Sequence, residues 1–221
     1  MSDFHTKNIH KSLKYKFHNS ENIETNYSQT FQDMFALTIL DGKENGTFLD
    51  IGCHHPQFHN NTYLLESLYN WDGFAIDLNK DILNEYKNNR KAEAKCADAV
   101  RFDYSEILCK FDFIDYLSLD IDPPHQSLAV LYKIFEYKKF IKVITFEHDA
   151  YIAGDKVREE SRNFLQENYD LIIPNVTTSS GKCYEDWWCH KSLDIGSKFS
   201  NCKTKEKNMP SEFFYMLSFN F

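Results

Sequence analysis

Apolar runs of the ~20 residues needed to cross a bilayer are missing from this sequence, which argues against a membrane-spanning chain. The opening stretch "MSDFHTKNIHKSLKYKFHNS" has no hydrophobic h-region and no small-residue cleavage site, so it does not read as a secretory signal. The expected location is the cytoplasm. Zinc spacing is also missing: no two of Cys53, Cys96, Cys109, Cys183, Cys189 and Cys202 form a C-x-x-C pair, so no structural zinc site is expected. A reducing compartment excludes a disulfide framework as well. The net charge is −8, against the excess of positive charge that phosphate neutralisation demands of a duplex-binding protein. Internal repeats and long low-complexity linkers are absent too.

With 42% hydrophobic and 16% aromatic residues in a chain of 221, the sequence has enough apolar material for a folded core. Residues 1–26 are polar and carry Lys7, Lys11, Lys14 and Lys16, and are expected to form a mobile basic arm with one helix. Residues 27–221 are expected to form one domain. Lys198, Lys203, Lys205 and Lys207 make a second basic stretch, read as solvated.

From residue 28 onward, short apolar runs alternate with helical periodicity. The runs are "TFLDIG" (47–52), "GFAIDL" (73–78), "AEAKCAD" (92–98), "FIDYLSLDID" (113–122), "KVITFEHD" (142–149), "YDLIIPNV" (169–176) and "EDWWCH" (185–190). Between them, Leu64, Leu65, Leu68 and Tyr69 share one helical face, as do Leu128, Leu131, Tyr132 and Phe135, and Val157, Ser161, Phe164 and Leu165. This alternation predicts βα units and an α/β fold with a largely parallel sheet. The last residues, "EFFYMLSFNF", read as an added strand.

The strands stop on acids: Asp50, Asp77, Asp98, Asp120 with Asp122, then Glu147 with Asp149. In a parallel open sheet these ends share one edge, and ligands bind in the crevice outside it. A row of carboxylates there suits a positively charged ligand rich in hydroxyls and amines. S-adenosylmethionine is one. Asp77 would accept from both ribose hydroxyls, Asp98 from the adenine amine, and Gly52 would let the backbone approach the methionyl part. A lone Asp after a strand more often caps a helix, but three strand ends in succession favour the cofactor.

Joined to "YSQTFQD" (27–33), "NNTYLLES" (60–67), "NWDGFAIDLN" (70–79) and "NNR" (88–90), the stretch "GTFLDIG" (46–52) resembles the FkbM-type class I methyltransferases. The resemblance covers roughly residues 27–190. It implies a Rossmann-like fold, a seven-stranded, mostly parallel sheet with helices on both faces, and S-adenosylmethionine as cofactor. It places Asp50, Gly52, Asp77 and Asp98 at the cofactor, with Cys53, His54, Leu78, Ala99 and Asp120 beside them on the strand ends. Gln29, Gln32 and Asn60 border the site.

Two departures stand out. The turn after the first strand is "CHHPQ" (53–57), bulky where backbone should approach a ligand. The fourth strand ends Asp120-Ile-Asp122-Pro-Pro-His125 where the family usually has Asp-x-Glu-Gly. Asp-Pro-Pro can start a helix, with Asp122 as cap and Pro123 in the first turn. It can also hold an exocyclic amine, as in adenine-methylating enzymes, with His125 in the stacking position. The acidic charge and the lack of a target-recognition region speak against that. The third use is oxygen chemistry. A hydroxyl needs a base near the reacting methyl, and Asp122, His125, His148 and Asp149 are the candidates. In a metal-assisted variant, Asp120, Asp122 and His148 would hold Mg²⁺ or Mn²⁺. Tyr151, Asp186 and Trp187 are candidates to floor an acceptor site.

The function expected is methyl transfer to a hydroxyl of a sugar, glycan or other small molecule. The rival is a non-catalytic interaction module with a degenerate turn at 53–57. No membrane partner is expected, nucleic acid is disfavoured, and the sequence leaves the oligomeric state open.

Overall fold

The computed structural model describes residues 8–13, 16–178 and 180–195. In chain order the elements are α1 (Ile9–Ser12), α2 (Gln32–Ile39), β1 (Thr47–Ile51), α3 (Tyr63–Tyr69), β2 (Asp72–Asp77), α4 (Lys80–Asn89), β3 (Glu93–Cys96) and α5 (Ser105–Leu108). Then follow β4 (Ile114–Leu119), α6 (Pro124–Glu136), β5 (Ile141–Glu147), α7 (Ala150–Ala153), α8 (Lys156–Leu165), β6 (Tyr169–Thr177) and β7 (Cys183–His190). The strands form one seven-stranded sheet in the order β3-β2-β1-β4-β5-β7-β6. All neighbours are parallel except β7, which runs antiparallel to both β5 and β6. The strand order reverses between β1 and β4, where such sheets open their binding crevice.

Alternation along the strands feeds two cores. Phe48, Ala75, Tyr116, Val143 and Trp187 pack on one face with α2, α3 and α4. Leu49, Ile51, Phe74, Leu117, Ile144, Phe146 and Trp188 pack on the other with α5, α6 and α8. Every residue of β4 is buried, as expected of a central strand covered on both faces.

The helices follow their periodicity with one rotation. On α6 the buried stripe is Ser127, Leu128, Val130, Leu131 and Ile134, whereas Tyr132 is exposed. On α8, Val157, Ser161 and Leu165 are buried. Phe164 stays at the surface and meets Tyr132 and Phe135 edge-on, at ring separations of 4.8 and 5.1 Å. The exposed members of both stripes thus pack on each other.

Instead of the mobile arm expected before residue 27, Ile9, Leu13, Phe17 and Ile23 are buried against the core that α2 covers. Their spacing is too irregular to show as an amphipathic pattern. The strand expected at 212–221 and the basic stretch at 198–207 lie outside the described residues.

Asp122 does not cap α6. The helix begins at Pro124, Pro123 holds the cap position, and no side chain caps it. Ser127 does the local work: its hydroxyl accepts from the Ile121 N–H (3.1 Å) and donates to the Ile121 carbonyl (2.9 Å). The Asp-Pro-Pro turn therefore leaves the Asp122 carboxylate exposed at the sheet edge. By contrast, α4 has a side-chain cap, with Asn79 accepting from the N–H groups of Asp81 and Ile82.

Candidate active site

A cleft of about 420 Å³ opens outside the C-terminal ends of β1, β2, β3 and β4. Six acids line it: Asp50, Asp77, Asp98, Asp120, Asp122 and Glu147. No lysine or arginine lines it among the described residues.

Gly52 closes the floor. Its φ is +86°, and a Cβ there would fall 1.7 Å from the Asp120 carbonyl oxygen. Glycine is required because the β1 turn is pressed onto the end of β4. The Gly52 N–H continues the sheet by donating to the Ile76 carbonyl at 2.8 Å.

The bulky turn that follows is held from beneath. The guanidinium of Arg90 is buried and donates to the Pro56 carbonyl (2.9 Å), Asn60 Oδ1 (3.0 Å) and Thr62 Oγ1 (3.1 Å). Its Nε lies 3.1 Å from Glu66 Oε1, and the plane sits 4.6 Å from the centre of the Tyr86 ring. Glu66 in turn accepts from the N–H groups of Lys91 and Ala92. Asn60 completes the turn by donating to the carbonyls of Cys53 (2.9 Å) and His55 (3.1 Å). Thr62 passes the contact to Asp50, donating at 2.8 Å. Burial raises the Asp50 carboxyl above its ordinary pKa, while the Thr62 bond and the Arg90 charge pull it back. A glycine-poor turn is thus fixed by side chains, and the His54 ring stands out at the cleft edge.

The segment 27–33 works in the same way. Asp33 is fully buried and accepts from the N–H groups of Tyr27 (2.7 Å) and Ser28 (3.1 Å). Gln32 accepts from the Thr30 N–H and donates to Glu185 at 3.1 Å, so it braces the loop. Gln29, between them, reaches the cleft.

Of the expected cofactor residues, Gln29, Asp50, Gly52, Cys53, His54, Asp77, Leu78, Asp98, Ala99 and Asp120 all line the cleft. Gln32 and Asn60 lie behind it as supports. Asp77 ends β2, and each of its oxygens accepts one N–H, from His54 (3.0 Å) and Asn79 (2.8 Å). Asp98 stands two residues past β3 and accepts from the Val100 N–H at 2.9 Å.

The candidates for chemistry divide. Asp122 lines the mouth. His125 is exposed on the first turn of α6 and outside the lining. His148 must be corrected: it is fully buried, its Nδ1 accepts from the Ala150 N–H, and its Nε2 lies 3.6 Å from Asp186. Asp186 is also corrected. It is buried and takes two bonds from Arg162, at 2.7 and 2.8 Å. Burial alone would raise its pKa, but Arg162 and His148 hold it well below the usual carboxylate range. Trp187 is core, its ring 4.9 Å from Phe35 and its Nε1 donating to Glu185. Tyr151 alone of the acceptor-floor candidates is exposed, with the Lys182 ammonium 5.0 Å from its ring centre.

Glu147, read from sequence as a strand-end acid and candidate metal ligand, sits among the acids of the cleft. Burial first, then the Asp120 charge, push its pKa well above the ordinary value. Its carboxyl therefore takes up a proton more readily than an ordinary glutamate, with the Asp120 and Asp149 carboxyls beside it. Burial likewise raises Asp120, to about 6, against the Glu147 bond and helped by the nearby Asp149 and Asp122 charges. The proposed metal set does not form. His148 turns away toward Asp186, and no group of three or more His, Cys, Asp or Glu is placed to hold an ion among the described residues.

Sequence reasoning also missed His59, Asn61 and Gln126 in the lining. Asn61 stood inside the quoted stretch "NNTYLLES" (60–67), beside the Asn60 that was singled out.

No protein-family model and no curated protein matches the chain. Solved structures do. One is a Streptococcus pneumoniae protein assigned as a tRNA methyltransferase, in complex with S-adenosyl-L-methionine (TM-score 0.53, 11% identity, 81% of this chain and 83% of that one). Another is the fibrillarin/Nop5p complex (0.50, 14%, 81% and 91%), and a third an rRNA methylase from Streptococcus thermophilus (0.50, 12%, 71% and 93%). The fold is that of a class I methyltransferase. At these identities the likeness establishes the fold alone.

Arg90→Met should cost about 3–5 kcal/mol, because it strands Glu66 and frees the turn. Arg90→Lys should recover little of that, since an ammonium cannot make the forked contacts. Urea denaturation checks both. A Lys variant as stable as the parent would show that the turn does not depend on the guanidinium.

Proposed function

We propose that the chain is an S-adenosylmethionine-dependent methyltransferase that acts on a hydroxyl of a small molecule or glycan. The observation that carries this reading is the acid-lined cleft at the switch point, with Asp98, Asp77 and Asp50 at the ends of three successive strands and glycine-forced close approach at Gly52. Such a lining suits a cationic ligand with amine and hydroxyl donors, and it repels phosphate. The neighbours named for rRNA and tRNA share the fold, but a cleft without basic lining favours a small acceptor over nucleic acid here. The resemblance to FkbM-type enzymes points the same way.

When bound, S-adenosylmethionine supplies an electrophilic methyl group. Asp77 would accept from the ribose hydroxyls: each carboxylate oxygen already takes one N–H and keeps a lone pair free. Asp98 would accept from the adenine amine. Asp120 would take the proton of the acceptor hydroxyl, since a carboxyl raised towards neutrality is a better base than an ordinary one. Asp122 and the exposed face of Tyr151 would hold the acceptor at the mouth.

Calorimetry with S-adenosylhomocysteine tests the cofactor part. The chain should bind it, and Asp77→Ala should weaken binding at least tenfold without unfolding, as loss of a charged hydrogen-bond acceptor implies. A chain that binds none would be an interaction module built on this fold. Screening polyol and sugar acceptors with labelled methyl donor tests the rest. Turnover should fall as pH drops through about 6, because Asp120 acts only when deprotonated. Asp120→Asn should lower turnover roughly 100- to 10,000-fold and abolish that acid limb. An unchanged limb in the Asn variant would remove Asp120 as the base.

A further inference from the structure

Asn61 is 8% exposed, lines the cleft, and has a side-chain oxygen with no hydrogen-bond partner. A buried amide oxygen without a donor is costly, and such groups mark places where a partner arrives later. The orientation of this amide is fixed by its neighbour. Asn61 Nδ2 donates to the Ser118 hydroxyl on β4 at 2.9 Å. The carbonyl end of the amide is left without a donor.

The position across the sheet says which ligand group meets it. The strand order is β3-β2-β1-β4, with Asp98 past β3, Asp77 ending β2, Asp50 in β1 and Ser118 in β4. An adenosyl group seated on Asp98 and Asp77 sends its sulfur-bearing chain toward β1 and β4, where Asn61 is anchored. That chain ends in a carboxylate, which has no donor, and an ammonium, which has three.

We infer that Asn61 Oδ1 accepts a hydrogen bond from the α-ammonium of the cofactor's amino-acid end. This rests on the methyltransferase reading above. It makes Asn61 a binding residue that selects ligands carrying the amino-acid moiety.

The test compares two ligands by calorimetry: S-adenosylhomocysteine, and 5′-methylthioadenosine, which keeps the adenosyl thioether but lacks the amino-acid end. Asn61→Ala should weaken the first roughly 10- to 100-fold, the range for a charge-assisted hydrogen bond, and leave the second unchanged. Asn61→Asp keeps an acceptor and should bind S-adenosylhomocysteine at least as tightly as the parent. Equal weakening of both ligands by Asn61→Ala would mean that the residue acts through the shape of the cleft, and no effect on either would mean that it faces something else. Either result overturns the inference and leaves the cofactor reading standing. If the unaltered chain binds neither ligand, the cofactor reading itself fails, and the inference with it.

Discussion

One buried positive charge holds this site together. Arg90 brings a guanidinium into the core beneath the β1 turn, where water cannot solvate it, and the cost is offset by the hydrogen bonds of its two terminal nitrogens and by the Glu66 charge beside Nε. Three oxygens of the 56–62 segment, the Glu66 carboxylate and the Tyr86 face supply those contacts. The consequence runs both ways along the chain. Asn60 and Thr62 cannot relax without breaking bonds to Arg90, and they position Asn61 between them and Asp50 beside them. A turn poor in glycine keeps its shape through side-chain bonds where other turns rely on backbone freedom. Gly52 remains because no side chain fits against the end of β4.

The same economy governs the acids. Six carboxyl groups around one cleft would repel each other if all were ionised and unsupported. The structure handles them in three ways. Asp77 and Asp98 are held by backbone N–H groups near solvent. Asp50 is buried against Thr62 within reach of the Arg90 charge. Asp120 and Glu147 lie side by side, and burial raises both above their ordinary pKa, while Asp122 stays exposed at the mouth. The result is a negatively polarised cleft that still contains one carboxyl near its neutral point, which is what a cationic cofactor and a proton-accepting step both require.

The sheet was largely legible in sequence because each of its strands is a short apolar run ended by a polar group, and strand ends need no tertiary information. Side-chain direction was legible only while the strand lasted. Period-two alternation sends Trp187 and Trp188 to opposite faces, and both proved to be core, one on each side of the sheet. At the end of β5 the alternation runs on by one residue: His148 follows Phe146 to the α8 side and meets Asp186, while Glu147 faces the cleft. Only at Asp149, with φ 43°, does the chain turn. Asp186 was misplaced for a related reason. It pairs in register with Phe146, which faces the α8 side, and that register depends on the antiparallel entry of β7. The role of Arg90 could not be read from sequence, since its oxygen partners lie 24 or more residues earlier and only Tyr86, one helical turn back, is local.

The central claim is that side-chain bonds, with Arg90 at their centre, shape a cofactor cleft along the acid-bearing strand ends. A crystal structure of the chain with S-adenosylhomocysteine tests it most directly. The account predicts the ribose hydroxyls on Asp77, the adenine beside Asp98 and the amino-acid end between Gly52 and Asn61, with the 53–62 turn unmoved. Ligand bound elsewhere, or a turn that must refold to admit it, would contradict the account.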